Sequence, residues 1–324
     1  MDRLPLILLL TGAISLAAAG STLSDELPAD GDAAWVESLR KSAEALHWSD
    51  ELIRLDWRLQ RRPGTDECRL LDPEERVVRT GSHAECAAAW AALESAGTIP
   101  AVAGPTVIVL HGLGEGRRSM RPLVDHLRRH VDATVLSFGY ASTKAAIADH
   151  GRALAAVVAG LPAADRVSFV GHSLGNLVVR SWMAQARGDD LDRVGRVVML
   201  GPPNQGSDLA RMAAKVWIVA ALSEGAARDL VVDWDKVGPT LPSPTCPFGI
   251  VAGGKGDGAG YSLLLDGDDD AVVRVAETQL EGADDFLVVP VHHAAMMKNT
   301  TVQEAVAAFL ATGRFAAPPR KESP

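Results

Sequence analysis

Cysteine, clustered basic charge and internal repetition are all scarce in this chain of 324 residues. Its 3 cysteines, Cys68, Cys86 and Cys246, do not have the spacing of a zinc site. No block of lysine or arginine stands out, and the net charge is −9, which excludes the electrostatic footprint of nucleic-acid binding. An anionic surface favours solubility and says little about fold. No repeat is visible. Charge is also missing from Leu4 to Ser24, and no cysteine closes that run, so it does not look like the leader of a lipid-modified lipoprotein.

Two readings of the N-terminus stand. Asp2 and Arg3 precede the apolar run Leu4 to Leu10, and the small residues Ala17-Ala18-Ala19-Gly20 follow. That is the layout of a secretory signal peptide with cleavage near Ala19. The uncharged stretch is also long enough to anchor in a bilayer if it is not cut. The expectation is export to a periplasmic or extracellular location, with residues 1–24 as signal peptide or anchor.

With 47% hydrophobic residues, the remainder has enough apolar material for one large α/β domain with a small appendage. Residues 25–100 are expected to form an α+β appendage. Trp35 to Leu55 has helical spacing, with short extended pieces at 55–59, 68–71 and 77–78 and an alanine-rich helix from Ala84 to Ala96. Cys68 and Cys86 flank its turn-rich segment and are either a disulfide or two reduced thiols. From Pro105 the chain alternates strand and helix. Strands are expected at 106–110, 133–137, 167–170, 194–200, 248–252 and 285–291, and helices at 120–130, 143–159, 174–186 and 302–310. Repeated β-then-α units imply a mostly parallel sheet with right-handed crossovers and ligands beyond the strands' carboxyl ends. Residues 101–314 form this domain, and the Pro-rich charged tail 315–324 is expected to be disordered.

The most informative stretch is Gly171-His172-Ser173-Leu174-Gly175, which follows the apolar run Arg166 to Val170 and opens an amphipathic stretch. A serine at the apex of a strand–turn–helix is held in a strained conformation with its hydroxyl exposed above the sheet. A serine hydroxyl is a poor nucleophile and needs a base, a group that orients the base, and N–H donors for the oxyanion. The first strand runs into His111-Gly112-Leu113-Gly114, a glycine-rich turn with N–H groups to spare. These two motifs resemble the α/β-hydrolase superfamily, compact lipase/esterase type, over residues from about 105 to 312.

The resemblance implies an α/β-hydrolase fold, a mostly parallel twisted sheet with helices on both faces. It implies the oxyanion donors as the N–H groups of Leu113 and Leu174, with His111 structural behind the turn. It also implies the chain order serine, acid, histidine. His293-Ala-Ala-Met-Met297 matches the family's base pattern better than His292 does. For the acid, Asp270-Ala-Val-Val273 matches the family's Asp-Gly-x-Val run except that alanine replaces glycine. Asp257 is the alternative, and Asp268 and Asp269 complete the choice. His83, His126, His130 and His150 are expected to face solvent.

The acidic run has a rival reading, because Asp266, Asp268, Asp270 and Glu277 stand at positions 1, 3, 5 and 12 of a calcium loop. Its sixth position is Ala271 where glycine is needed, and no metal or other cofactor is expected. The turn Gly201-Pro-Pro-Asn204-Gln205-Gly-Ser207 is expected to shape the floor of the site, with Asn204 or Gln205 as candidate substrate contacts. The apolar segment Lys215 to Leu222 reads as a cap helix or a lid.

The expected function is hydrolysis of carboxylic esters through an acyl-serine intermediate, with Ser173, His293 and Asp270 as the triad. Acyltransfer or thioester cleavage by the same triad is the alternative, and a non-catalytic hydrolase-like binding protein is the more distant one. The expected partners are small-molecule or lipid esters, with a lipid interface in reach and the oligomeric state open.

Overall fold

The structure, a computed structural model, describes residues 46–214 and 224–315. The signal or anchor run and the Lys215 to Leu222 segment lie outside the described residues.

The chain opens on an antiparallel meander of four strands, β1 (Ser49–Arg54), β2 (Trp57–Arg61), β3 (Glu67–Leu71) and β4 (Val77–Ser82), followed by helix α1 (His83–Ser95). The helix starts where Ser82 and Glu85 form a reciprocal capping box. Its Cys86 and Trp90 pack onto Leu59, Cys68 and Leu70 as a small core of their own. The expected helix across Trp35 to Leu55 is corrected at its described end, while residues 35–45 lie outside the described residues. Residues 49–54 form β1 because pairing with β2 outweighs local spacing, and Leu55 (φ 54°) turns the hairpin. Cys68 and Cys86 are buried neighbours with free thiols.

The second sheet has six parallel strands in the order β10-β9-β8-β7-β5-β6. These are β5 (Thr106–Leu110), β6 (Thr134–Phe138), β7 (Val167–His172), β8 (Val194–Leu200), β9 (Phe248–Gly253) and β10 (Asp285–Val289). Neighbouring residues of β5 enter opposite cores. Ile108 and Leu110 join the cluster with Leu154, Leu177 and Trp182, while Val107 and Val109 join the one with Leu123, Leu127 and Phe309. Burial on both faces explains why the strand reads as an unbroken apolar run. The covering helices are α2 (Arg121–His130), α3 (Ile147–Ala159), α4 (Leu174–Gln185), α5 (Asp208–Ala214), α6 (Gly225–Val231) and α7 (Thr300–Thr312). Helix α3 starts later than expected, at the N-terminal turn where Asp149 accepts from the Ala146 amide.

The appendage is bolted to the edge strand β6. The Asp50 amide donates to the Gly139 carbonyl at 2.8 Å, and Arg58 donates to the Ser137 carbonyl at 2.7 Å. The expected solvent positions of His126 and His150 are also corrected. Both are buried, His150 in α3 with its ring 4.7 Å from Tyr140. Phe315, expected to be disordered, packs its ring 5.0 Å from Phe309. Among the described residues no helix is long and apolar enough to cross a membrane.

Candidate active site

The end of β7 and the start of α4 hold Ser173 at φ 51°, ψ −120°. No L-residue adopts that backbone without strain, so its surroundings must enforce it. The Ser173 amide donates to the Leu200 carbonyl at 2.8 Å, and the Asn176 side chain donates to the carbonyls of Ser173 and Leu200. A side chain at Gly171 would collide with Asn176, and a Cβ at Gly175 would lie 2.8 Å from the Leu110 and His111 carbonyls. Both glycines are therefore required by close approach rather than by turn propensity.

Beyond β5, the turn His111 to Gly114 packs directly on this elbow, since a Cβ at Gly112 would meet the Ser173 Cβ at 3.2 Å. His111 is buried and stacked on Tyr140 with ring centroids 4.2 Å apart. Its Nδ1 bonds the Gly112 carbonyl at 2.9 Å, and its Nε2 accepts from the Tyr140 amide at 3.3 Å. Burial pushes the imidazole pKa down to about 4, which keeps the ring neutral and fits that tautomer. The Gly112 carbonyl also accepts from the Glu115 amide. With its carbonyl end pinned twice, the planar Gly112–Leu113 peptide has its N–H fixed in the opposite direction.

The neighbouring amides of this turn are occupied, Gly112 by Glu115 Oε2 at 3.1 Å and Gly114 by Ser142 Oγ at 3.1 Å. No hydrogen bond among the described residues uses the Leu113 amide. Leu174 is the first residue of α4, so its amide has no acceptor within the helix.

The candidate acid and base come from the far end of the chain. His293 follows β10, and its Nδ1 lies 2.6 Å from Asp270 Oδ2. The Asp270 Oδ1 atom is occupied by the amides of Val272 at 3.0 Å and Val273 at 2.7 Å, which leaves Oδ2 to the imidazole. The His293 amide donates to the Asp270 carbonyl at 2.8 Å and locks the two segments together. Burial opposes charge on His293, but the Asp270 charge and hydrogen bond prevail, with Glu115 adding to them, and raise its pKa above 6.5. Gly201 (φ 50°) makes the room, because a Cβ there would lie 3.0 Å from His293 Nδ1 and 3.2 Å from Asp270 Oδ2. The Ser173 hydroxyl makes no hydrogen bond to His293 in this structure. Such contacts are often long without substrate and tighten when it binds.

The competing candidates go elsewhere. Asp257 is exposed and bonds the amides of Ala259 and Gly260. Asp268 accepts from Lys255 and Gly256, and Asp269 from Tyr261, Ser262 and Ala271. Glu277 accepts from Asp208 and Arg274. Asp268, Asp270 and Glu277 of the calcium-loop reading thus have separate partners, and no group of metal-binding side chains is found among the described residues. His292 is exposed with its ring 3.9 Å from Tyr261. Asn204 is buried and tied to Arg180 and the Thr278 carbonyl, so its amide is a strut rather than a substrate contact. Gln205 donates to the Gln279 carbonyl. Glu115 and His172 are the site residues that sequence reasoning missed. His172 fills the variable position of the elbow, and Glu115 lies one residue beyond the turn that carries the resemblance.

Residues 105–238 match the family model described as alpha/beta hydrolase fold. The mature lipase BlEst2 of Bacillus licheniformis superposes with a TM-score of 0.51 at 20% identity, over 67% of this chain and 94% of that one. Its propeptide form gives 0.52 at 18% identity, over 68% of this chain and 52% of that one, so the chain spans about half the length of that form. Phospholipase PlaB of Legionella pneumophila gives 0.44 at 20% identity, over 55% of this chain and 45% of that one. No curated protein matches the sequence. At such identities the likeness is one of fold.

Proposed function

From the premise that this chain has the α/β-hydrolase fold, we propose that it is a serine hydrolase of carboxylic esters. One observation carries the reading. A histidine bonded at 2.6 Å through Nδ1 to a buried aspartate shares the carboxyl ends of a parallel sheet with a serine at φ 51°.

Ser173 Oγ attacks the ester carbonyl carbon while His293 Nε2, the ring nitrogen left free by Asp270, takes its proton. Asp270 holds the Nδ1–H tautomer and stabilises the imidazolium. The Leu113 and Leu174 amides bind the oxyanion, two fixed dipoles that need no reorganisation as charge develops. His293 then protonates the leaving alcohol, and water releases the acid by the same route. The N-terminal run Leu4 to Leu10 with Ala17-Ala18-Ala19 supports action outside the cytoplasm.

The test is hydrolysis of a p-nitrophenyl ester series, short to long acyl chain, by the purified protein beside Ser173→Ala. The variant should lose on the order of 10⁶ in kcat, as when a serine nucleophile is removed elsewhere. No hydrolysis of any ester by a folded wild type would sink simple ester hydrolysis.

A further inference from the structure

Glu115 and His172 take no step in the chemistry above, yet they join its two halves. Glu115 Oε2 accepts from the Gly112 amide at 3.1 Å and from Ser119 Oγ at 2.8 Å, and it faces His172 Nδ1 at 3.4 Å. The Glu115 amide donates back to the Gly112 carbonyl at 3.3 Å, so this one residue closes the turn from both ends. On its other side, His172 Nε2 lies 3.2 Å from the His293 carbonyl, with the two rings 4.6 Å apart. A chain of polar contacts therefore runs from the Gly112–Leu113 peptide through Glu115 and His172 to the backbone of His293.

The chemistry of the chain is constrained. A carbonyl only accepts, so His172 must donate from Nε2. Its Nδ1 then faces a carboxylate and, when protonated, meets it as an ion pair. The 3.4 Å contact is not a well-aligned hydrogen bond, and Nδ1 has no other partner. Burial disfavours the Glu115 carboxylate, but His172, Ser119 and the Gly112 amide together hold its carboxyl well below the usual range. A largely buried carboxylate beside an oxyanion site would repel the charge developing there. Its presence calls for a compensating role, and the contacts show where it acts.

We propose that Glu115 and His172 are positioning residues that couple the oxyanion turn to the base, with Glu115 setting the Leu113 amide and also serving as a second carboxylate in the field of His293. This rests on the reading of Ser173, His293 and Asp270 as a triad. The His293 ring contacts Asp270 and the His172 ring, and Glu115 stands behind His172, whose Nδ1 it faces at 3.4 Å. Removing the Glu115 charge should therefore lower the pH at which His293 titrates, because a nearby negative charge favours the imidazolium.

The experiment compares Glu115→Gln, Glu115→Asp and His172→Gln in the full chain. Two readings are taken. The first is kcat and KM across pH on the best p-nitrophenyl ester. The second is an NMR titration of the histidine imidazoles in a Ser173→Ala background, which reads His293 whether or not any ester is cleaved. Glu115→Gln should cost about tenfold in kcat with KM nearly unchanged, as for a small misplacement of a catalytic group. It should also move the acid limb and the His293 titration to lower pH. Glu115→Asp should bring both pH readings back toward wild type, since it restores the charge. His172→Gln should lower kcat in the same way, and it stands in if Glu115→Gln does not fold. An unmoved His293 titration together with unchanged kcat would overturn the proposal. A shifted titration in a protein whose wild type cleaves no ester would support the coupling and sink the ester-hydrolysis reading instead.

Discussion

The Asp50 carboxylate accepts from the Gly139 amide at 2.6 Å, joining the first strand of the appendage to the edge of the parallel sheet 89 residues later. The same carboxylate takes Arg58 at 2.7 Å and Gln60 at 2.6 Å, and all three side chains are buried. Burial and the Arg117 charge lower the Arg58 pKa, Asp50 raises it in part, and the balance lies at about 10. The guanidinium stays charged and needs its partner. Glu75 adds contacts to Arg117 and Arg118, just past the turn His111 to Gly114. The appendage is thus part of the hydrolase body.

Breaking that seam should therefore be costly. Asp50→Ala leaves a buried guanidinium unpaired and should destabilise by about 3–5 kcal/mol. Asp50→Ala with Arg58→Met should recover part of the loss, because an apolar pair of similar volume removes the uncompensated charge. Denaturant unfolding of the two variants beside wild type decides it. A double variant no more stable than Asp50→Ala would contradict this account.

Ala271 is one of four non-glycine residues at positive φ among the described residues, at 84°, and it stands where the resembling family has glycine. Its conformation is fixed by its neighbours. The Ala271 amide donates to Asp269 Oδ1 at 2.6 Å, while Asp270 Oδ1 accepts the next two amides. A left-handed alanine costs about 1–2 kcal/mol. Glycine would relieve this but adds about 0.4–1 kcal/mol of unfolded-chain entropy. Ala271→Gly should therefore stabilise by about 0.5–1 kcal/mol, read as a higher denaturation midpoint at unchanged m-value. A lower midpoint would show that the turn is not strained.

The strand runs of the parallel sheet were legible because burial on both faces leaves only apolar residues, as at Thr106 to Leu110. The elbow was legible because two close backbone approaches forbid side chains at Gly171 and Gly175. Favouring Asp270 over its neighbours Asp268 and Asp269 needed pattern, since aspartates in an acidic run look alike until their amide partners are known. The first strand departs from its helical spacing because residues 49–54 pair with β2 across a hairpin turned at Leu55, and the apolar spacing of the segment alone does not register that partner. Buried His150 was invisible for a similar reason. Its ring is enclosed by Tyr140, and nothing in helix α3 alone announces that neighbour. His172 lay inside a quoted motif and Glu115 one residue beyond another, but only the fold shows that they touch.

The acid assignment makes a paired prediction. Asp270→Asn should lose about 10⁴ in kcat, because an amide oriented by two amide donors presents the wrong partner to Nδ1. Asp257→Asn should stay within about twofold of wild type, since that carboxylate only caps an exposed turn. In wild type the acid limb of kcat/KM should lie above the ordinary histidine value of 6.5, because His293 must lose a proton that Asp270 holds. The same raised value means that folding favours protonated His293. That stability is full below the unfolded value and fades as pH rises through the folded one. Steady-state kinetics from pH 5 to 9 on both variants tests the assignment, and equal losses would refute it.

The buried neutral histidines act in the opposite sense. Burial pushes His111 down to about 4 and His150 down to about 3. The unfolded chain protonates both near 6.5, so between that pH and the folded values it binds more protons than the native state. Stability must then fall as the solution is acidified from pH 6.5 toward 4, by roughly 1.4 kcal/mol per unit for each group once well below 6.5. The raised site at His293 does not offset this, because its contribution is already full below pH 6.5. His150 Nε2 has no hydrogen-bond partner, so His150→Leu gives up no contact there. The variant should show a shallower loss of stability between pH 6.5 and 4 than wild type, whatever its stability at pH 7. Urea unfolding at four or five pH values measures the slope. Parallel slopes for the two proteins would mean that His150 is already protonated in the folded state, and its burial against Tyr140 would then have to be wrong.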